Sequence, residues 1–199
     1  MSPPAPGRPR EFDPQAALEA AMLVFWQKGY EGTGVAEICQ AMGIGKQSMY
    51  DWVGDKKGLY IACVQHYAKT RICGLQDHLE SEGSPLANIR HCLHAMADYA
   101  KSDNCIGCLL TNTQGEFGAS DPDIAAVAAE SEAFIVQAFT DVLERARDAG
   151  EIAPSVDARA VASAIAVLRN GLMIAGRAQQ SAESIDRTID LLEGMIRPT

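Results

Sequence analysis

The sequence predicts an all-α chain, and three observations carry that reading. Apolar residues recur at i, i+3, i+4 and i+7 in one segment after another, while no alternating valine-rich strand pattern occurs. Short Gly-, Pro- and Ser-bearing breaks such as "GSP", "ASDP", "DAGEIAPS" and "QQSAES" separate those segments. Apolar residues make up 47% of a 199-residue chain, enough to bury a core and too many for disorder.

Residues 1–12 hold four prolines and read as a flexible basic arm. A first helix follows from Pro14, with Asp13 as its cap and Gly29 as its stop; Ala17, Ala20, Ala21, Val24 and Phe25 share one face. Thr33 can cap a short second helix whose inner stripe is Val35, Ile38, Cys39 and Met42. Gly43 ends it, Ile44 plugs the corner, and a third helix covers Lys46 to Trp52. A fourth starts near Asp55 and runs towards Glu80. The remaining pattern predicts helices over 85–101, 106–117, 122–149, 158–179 and 184–196. The expected domains are 13–55 and 56–199, with the fourth helix linking them.

Two short helices around a glycine turn satisfy the requirements of a helix-turn-helix. With Ile44 and Met49 anchored inside, Lys46, Gln47, Ser48, Tyr50, Asp51 and Trp52 are left largely outside. Glutamine and lysine can read base edges in a major groove, which suits Gln47 and Lys46. Tyr50 and Trp52 offer a hydroxyl and an indole N–H to phosphates, and Ser48, Thr33 and Lys56 add anchors. Arg8 and Arg10, in "GRPR", fit a narrow minor groove. The formal net charge of −9 does not exclude this, because residues 1–60 carry six Lys/Arg against seven Asp/Glu. The excess of acid lies in the later two thirds.

From Pro14 to about Tyr67 the stretch "AALEAAMLVFWQKGYEGTGVAEICQAMGIGKQSMYDWVGDKKGLYIACV" resembles the TetR family of bacterial transcriptional regulators. Apolar helix, glycine–tyrosine, threonine, helix, glycine turn, aromatic-rich third helix and lysine-headed fourth helix stand at linked spacings. The resemblance implies a homodimer of all-α subunits, with an N-terminal helix-turn-helix DNA-binding domain and a C-terminal helical ligand-binding and dimerisation domain. It implies a repressor of a double-stranded DNA operator, released by a small-molecule effector. Gly34 and Gly45 stand where the family often has Ser or Thr, Val53 where phenylalanine is usual, and Asp51 where His or Tyr is frequent. Base preference is therefore not carried over.

Beyond the fourth helix, Ala160, Ala164, Ala175 and Gly176 permit close helix approach, and Ile185, Ile189, Leu192 and Ile196 form one stripe. This pair of helices suits a four-helix dimer interface; an ordinary intramolecular core is the alternative. "NCIGCLLTNTQGEFG", residues 104–118, resembles a cysteine signature opening the sixth helix in a subgroup of these regulators, some of which sense electrophiles or oxidants. A thiol in the first turn of a helix can have a lowered pKa, which makes Cys108 a candidate sensor and Cys105 a candidate resolving thiol. Tyr67, Tyr99, Asn112, Phe117 and Asn170 are candidate walls of a pocket for a small organic ligand.

Other classes fit less well. His91 and His94 share a face and Cys105–Cys108 is a single C-x-x-C, but a metal site needs three or four converging ligands, so no metal or cofactor is expected. No nucleophile–base spacing suggests an enzyme; a thiol enzyme would need a strand–helix context, and a helical adaptor would not need the arm. With neither a leader-like stretch at the N-terminus nor an apolar run of bilayer length, the expectation is a cytoplasmic protein without a membrane partner.

Overall fold

A computed structural model describes residues 12–118 and 120–196. Among these the chain forms α1 (Pro14–Lys28), α2 (Val35–Met42), α3 (Lys46–Val53), α4 (Lys56–Leu79), α5 (Pro85–Lys101), α6 (Leu109–Phe117), α7 (Pro122–Asp148), α8 (Ala158–Arg177) and α9 (Ala182–Met195), and no strand. It divides into two compact units, one ending at Cys63 and the other starting at Val64, so the division falls within α4.

In the first unit, Asp13 accepts from the N–H groups of Gln15 (2.9 Å) and Ala16 (3.4 Å), satisfying donors that the first turn of α1 leaves unpaired. Ala17, Ala21, Phe25 and Trp26 are the buried face of α1, and Ile38, Cys39 and Met42 that of α2. Gly43 ends α2 in the left-handed region at φ 66°, with its N–H on Gln40 O and the Ile44 N–H on Cys39 O. That paired closure needs a residue free of Cβ crowding at position 43, and it fixes the sharp turn into α3. Tyr60 from α4 packs edge-on against Phe25 (centroids 5.0 Å) and Tyr30 (5.1 Å), completing the core.

In the second unit α7 and α8 pack along one another, with α5 against both and α9 against α5 and α8. Each of α5, α7 and α8 starts on a side-chain cap, from Ser84, Asp121 and Asp157 respectively. Several helix ends differ by one to three residues from the sequence expectation, and two of them have a clear backbone cause. α6 begins at Leu109 rather than Ile106, because Gly107 adopts φ +79° and cannot continue a helix; a Cβ there would meet Asn112 Oδ1 at 3.1 Å. α8 ends at Arg177 rather than Gln179, because Gln179 itself turns left-handed (φ 52°), its N–H bonding Gly176 O and that of Gln180 bonding Ala175 O. By length and composition α8 could cross a bilayer, contrary to expectation. Its apolar residues nevertheless fill a protein core on one face, and the same face carries an arginine.

The expected dimer stripe on α9 is not free. Ile185, Ile189, Leu192 and Ile196 are all at most 2% exposed within this one chain, since α9 turns that face onto α5 and α8. Gly176 is also internal: a Cβ there would stand 2.6 Å from Ala100 O and 2.7 Å from Cys105 Sγ, so its smallness seats α8 on α5. Ala160 is exposed and Ala164 and Ala175 half-buried. They share a face of α8 with Val167 (69% exposed) and Ile174 (59%), residues the sequence reading did not single out.

Candidate functional site

The first candidate surface is α3. Met49 is its only fully buried side chain, at 0% exposure, with Sδ 3.9 Å from Cys39 Sγ. Because a helix turns 100° per residue, anchoring position 49 leaves Lys46, Gln47, Ser48, Tyr50 and Asp51 outside, and all five are exposed. Trp52 is half-buried, edge-on to Phe12 at 5.3 Å. The Gln47 amide donates from Nε2 to Asp51 Oδ1 at 2.8 Å, one turn along. Asp51 therefore orients the Gln47 amide and leaves its carbonyl oxygen outside this bond. Lys56 Nζ lies 4.1 Å from the centre of the Tyr30 ring, a cation–π seat that holds the charge beside the start of α4.

One predicted anchor fails. Thr33 is 2% exposed and its hydroxyl donates to Gly29 O, so its single proton is spent inside the turn and cannot serve a phosphate. Nor does it cap α2, which starts on Gly34 without a side-chain bond. Arg8 and Arg10 lie outside the described residues.

The second candidate site is a cavity of about 350 Å³ in the C-terminal unit, walled by α4, α5, α7, α8 and the start of α6. Of the residues proposed from sequence, Tyr67, Tyr99 and Cys108 line it. Cys105, Asn112, Phe117 and Asn170 do not. Cys105 is buried against Gly176, and Asn112 donates to Ile106 O at 3.3 Å, closing the loop before α6. Asn170 is engaged behind the wall, donating to Glu132 Oε1 (3.1 Å) and accepting from the Thr111 hydroxyl (2.9 Å).

Arg169 organises this region and was missed as a site residue. It is 8% exposed, pairs through Nη2 with Glu132 Oε2 at 2.9 Å, and lies through Nη1 3.7 Å from Cys108 Sγ. Its position was detectable: Val161, Ile165, Leu172 and Met173 form the buried stripe of α8, and an arginine on such a stripe must find partners. Burial pushes the Cys108 thiol up. The Arg169 guanidinium, the Tyr67 hydroxyl and Thr111 more than offset this and hold it below the ordinary thiol value. Cys108 is also the N-cap of α6, where the helix terminus favours thiolate. Burial pushes the Tyr67 hydroxyl well up and that of Tyr99 up, so both stay protonated donors. Cys92, also on the cavity wall, goes the other way from Cys108: with burial unopposed, it is pushed up to about 11.

The two histidines noted in sequence part company. His91 stacks on His78 with centroids 5.9 Å apart, whereas His94 Nε2 lies 2.9 Å from Glu193 Oε1.

A helix-turn-helix with an outward polar third helix, in one chain with a helical bundle holding an apolar-walled cavity, defines a DNA-binding regulator of transcription. Comparison with known proteins agrees. The family of bacterial regulatory proteins called tetR matches residues 17–63, and the tetracyclin repressor-like C-terminal domain matches residues 85–192. The uncharacterized HTH-type transcriptional regulator YezE of Bacillus subtilis is 31% identical over 147 residues, 73% of this chain and 76% of that one. The HTH-type transcriptional repressor ComR of Escherichia coli is 29% identical over 187 residues, 90% and 86% of the two chains. Among solved structures, a cysteine mutant of the TetR family regulator CifR in complex with 26-bp operator DNA superposes with TM-score 0.79 at 26% identity, covering 95% of this chain and 97% of that one. The chain belongs to the TetR family; it is a transcriptional regulator and not an enzyme.

Proposed function

We propose that the protein is a cytoplasmic, homodimeric repressor that binds a palindromic operator and is released when a small molecule enters the C-terminal cavity. The observation that carries the DNA reading is α3, where one buried methionine presents Lys46, Gln47, Ser48 and Tyr50 together on the outside. The repressor ComR and the operator complex of CifR support it by similarity. Two such helices must lie about 34 Å apart to enter successive major grooves, which a two-fold dimer supplies. The exposed small and apolar face of α8, running through Ala160, Ala164, Val167, Ile174 and Ala175, is the surface we assign to that dimer. α4 carries Lys56 near its start and Tyr67 further along, so a ligand that shifts α4 alters both. Selecting bound fragments from random duplex DNA tests the assignment; a monomer that enriches no palindrome defeats it.

A second reading has one specific observation in its favour, the Arg169 guanidinium 3.7 Å from a Cys108 sulfur already at a helix N-terminus. In this reading Cys108 thiolate adds to an electrophile and operator release follows. Operator release by a quinone or an aldehyde is the readout, and it should vanish in Cys108→Ser; unchanged release removes this reading.

A further inference from the structure

The C-terminal two thirds hold most of the acidic residues of a chain with formal net charge −9. Yet none of the described residues lining the cavity is acidic, and Arg71, Arg169 and His78 all face it. The rest of the wall is mainly apolar, with Met96, Leu110, Ile135 and Met173 among it. Charge of one sign over apolar walls selects a ligand of the other sign with an apolar body.

Arg169 gives this selection a definite place. Glu132 and Asn170 occupy its Nη2, and neither lines the cavity, whereas Nε is buried and has no hydrogen-bond partner among the described residues. An arginine more than nine-tenths buried with an unused N–H is costly unless something accepts from it. Cys108 Sγ, 3.7 Å from Nη1, is a long and weak acceptor. Arg71 adds a second guanidinium, 5.3 Å from the centre of the Tyr67 ring, and the protonated Tyr67 hydroxyl, hydrogen-bonded to Cys108, is a further donor on the same wall. Planar forks of this kind match a carboxylate better than a point anion.

We propose that the cavity binds a small organic carboxylate carrying an aromatic or branched apolar body, with its carboxylate held by Arg169 and Arg71 beside Tyr67. This rests on the reading of the cavity as the effector site and adds the chemical class of the effector. A consequence follows from sharing: a bound carboxylate and the Cys108 thiolate compete for Arg169. The ligand therefore raises the pH at which Cys108 becomes reactive, and a Cys108 already alkylated by a bulky reagent loses the ligand.

The test is calorimetric titration of the full chain, without DNA, with phenylacetate, 4-phenylbutyrate and hexanoate, each beside its neutral primary amide. At least one acid should bind tenfold or more tightly than its amide, and Arg71→Gln, at an exposed position, should cut that ratio several-fold while the thermal melt stays unchanged. The paired variant Arg169→Met with Glu132→Gln, which strands neither charge, should abolish the preference. Iodoacetamide should modify Cys108 several-fold more slowly at pH 7 in the presence of a binding acid. Amides that bind as well as acids, or no binding by any acid at millimolar concentration, overturn the proposal. A parallel operator titration separates the two layers. Binding of an acid that leaves operator affinity unchanged upholds the carboxylate class and defeats the effector reading, whereas intact operator binding with no acid bound defeats the class alone.

Discussion

α3 and the cavity solve opposite problems with polar side chains. On α3 the functional groups point to water, and one fully buried side chain, Met49 beside Cys39, anchors the helix that carries them. In the cavity the central functional group is a buried cation, and it persists only because Glu132, Asn170 and Cys108 surround it. The first arrangement is cheap and local; the second is costly and draws on α6, α7 and α8 together. The difference teaches where each site is vulnerable. The DNA face should fail through its anchor, and the cavity through its ion pair.

The largest effect is expected at that anchor. Met49→Ala empties a fully buried site and should cost about 2–5 kcal/mol, towards the upper part of the range because no surface is exposed to collapse onto. Denaturant melts should show it, with specific DNA binding lost and carboxylate binding retained. If operator binding survives unweakened, the contrast between the two sites is wrong.

Arg169→Met should come next, at about 3 kcal/mol, the low end for breaking a buried pair because Glu132 keeps 23% of its surface. Glu132→Gln in the same chain should restore most of it. The pH dependence should also weaken. In the natural chain the Cys108 thiol is depressed when folded, so its stabilisation is present above the unfolded value of about 9.0 and is lost as pH falls through the folded value. Without the guanidinium, burial is opposed only by Tyr67 and Thr111, so the thiol moves up and that contribution shrinks. Chemical melts of both chains between pH 6 and 10 check the loss; an unchanged pH dependence would take Arg169 out of the thiol's environment.

Smaller changes sharpen the outward-facing half. Gln47→Ala should cost about 1–3 kcal/mol at one operator position and relax base preference there, by competition binding against point-substituted duplexes. Asp51→Ala should mimic part of this loss, since Asp51 orients the Gln47 amide. Lys56→Ala should weaken all duplexes alike by under about 1 kcal/mol and lower the salt slope by about one. A base-specific effect at Lys56 with a uniform one at Gln47 would reverse the assigned roles.

Much of this was legible in the sequence because it depends on near neighbours. Asp13–Pro14, Gly43 and the Val35–Met42 stripe specify α1, α2 and the turn to α3 through hydrogen bonds that span two to five residues. Thr33 marks the limit of that logic: an exposed-looking threonine before a helix reads as a cap, but the turn it sits in had already claimed its hydroxyl. The α9 stripe of Ile185, Ile189, Leu192 and Ile196 was equally clear as a stripe. Whether α5 and α8 or a second subunit covers it is not encoded in its spacing.

By itself, then, the sequence determined an all-helical chain, the helix-turn-helix and the outward set on α3, because capping, periodicity and glycine geometry act within a few residues. Only the tertiary structure decided what fills the C-terminal unit. Arg169 meets Cys108 across 61 residues and Glu132 across 37, and those meetings exist only once α6, α7 and α8 have packed. The energy of a buried charge depends on what surrounds it in space, and that is fixed by packing rather than by position along the chain.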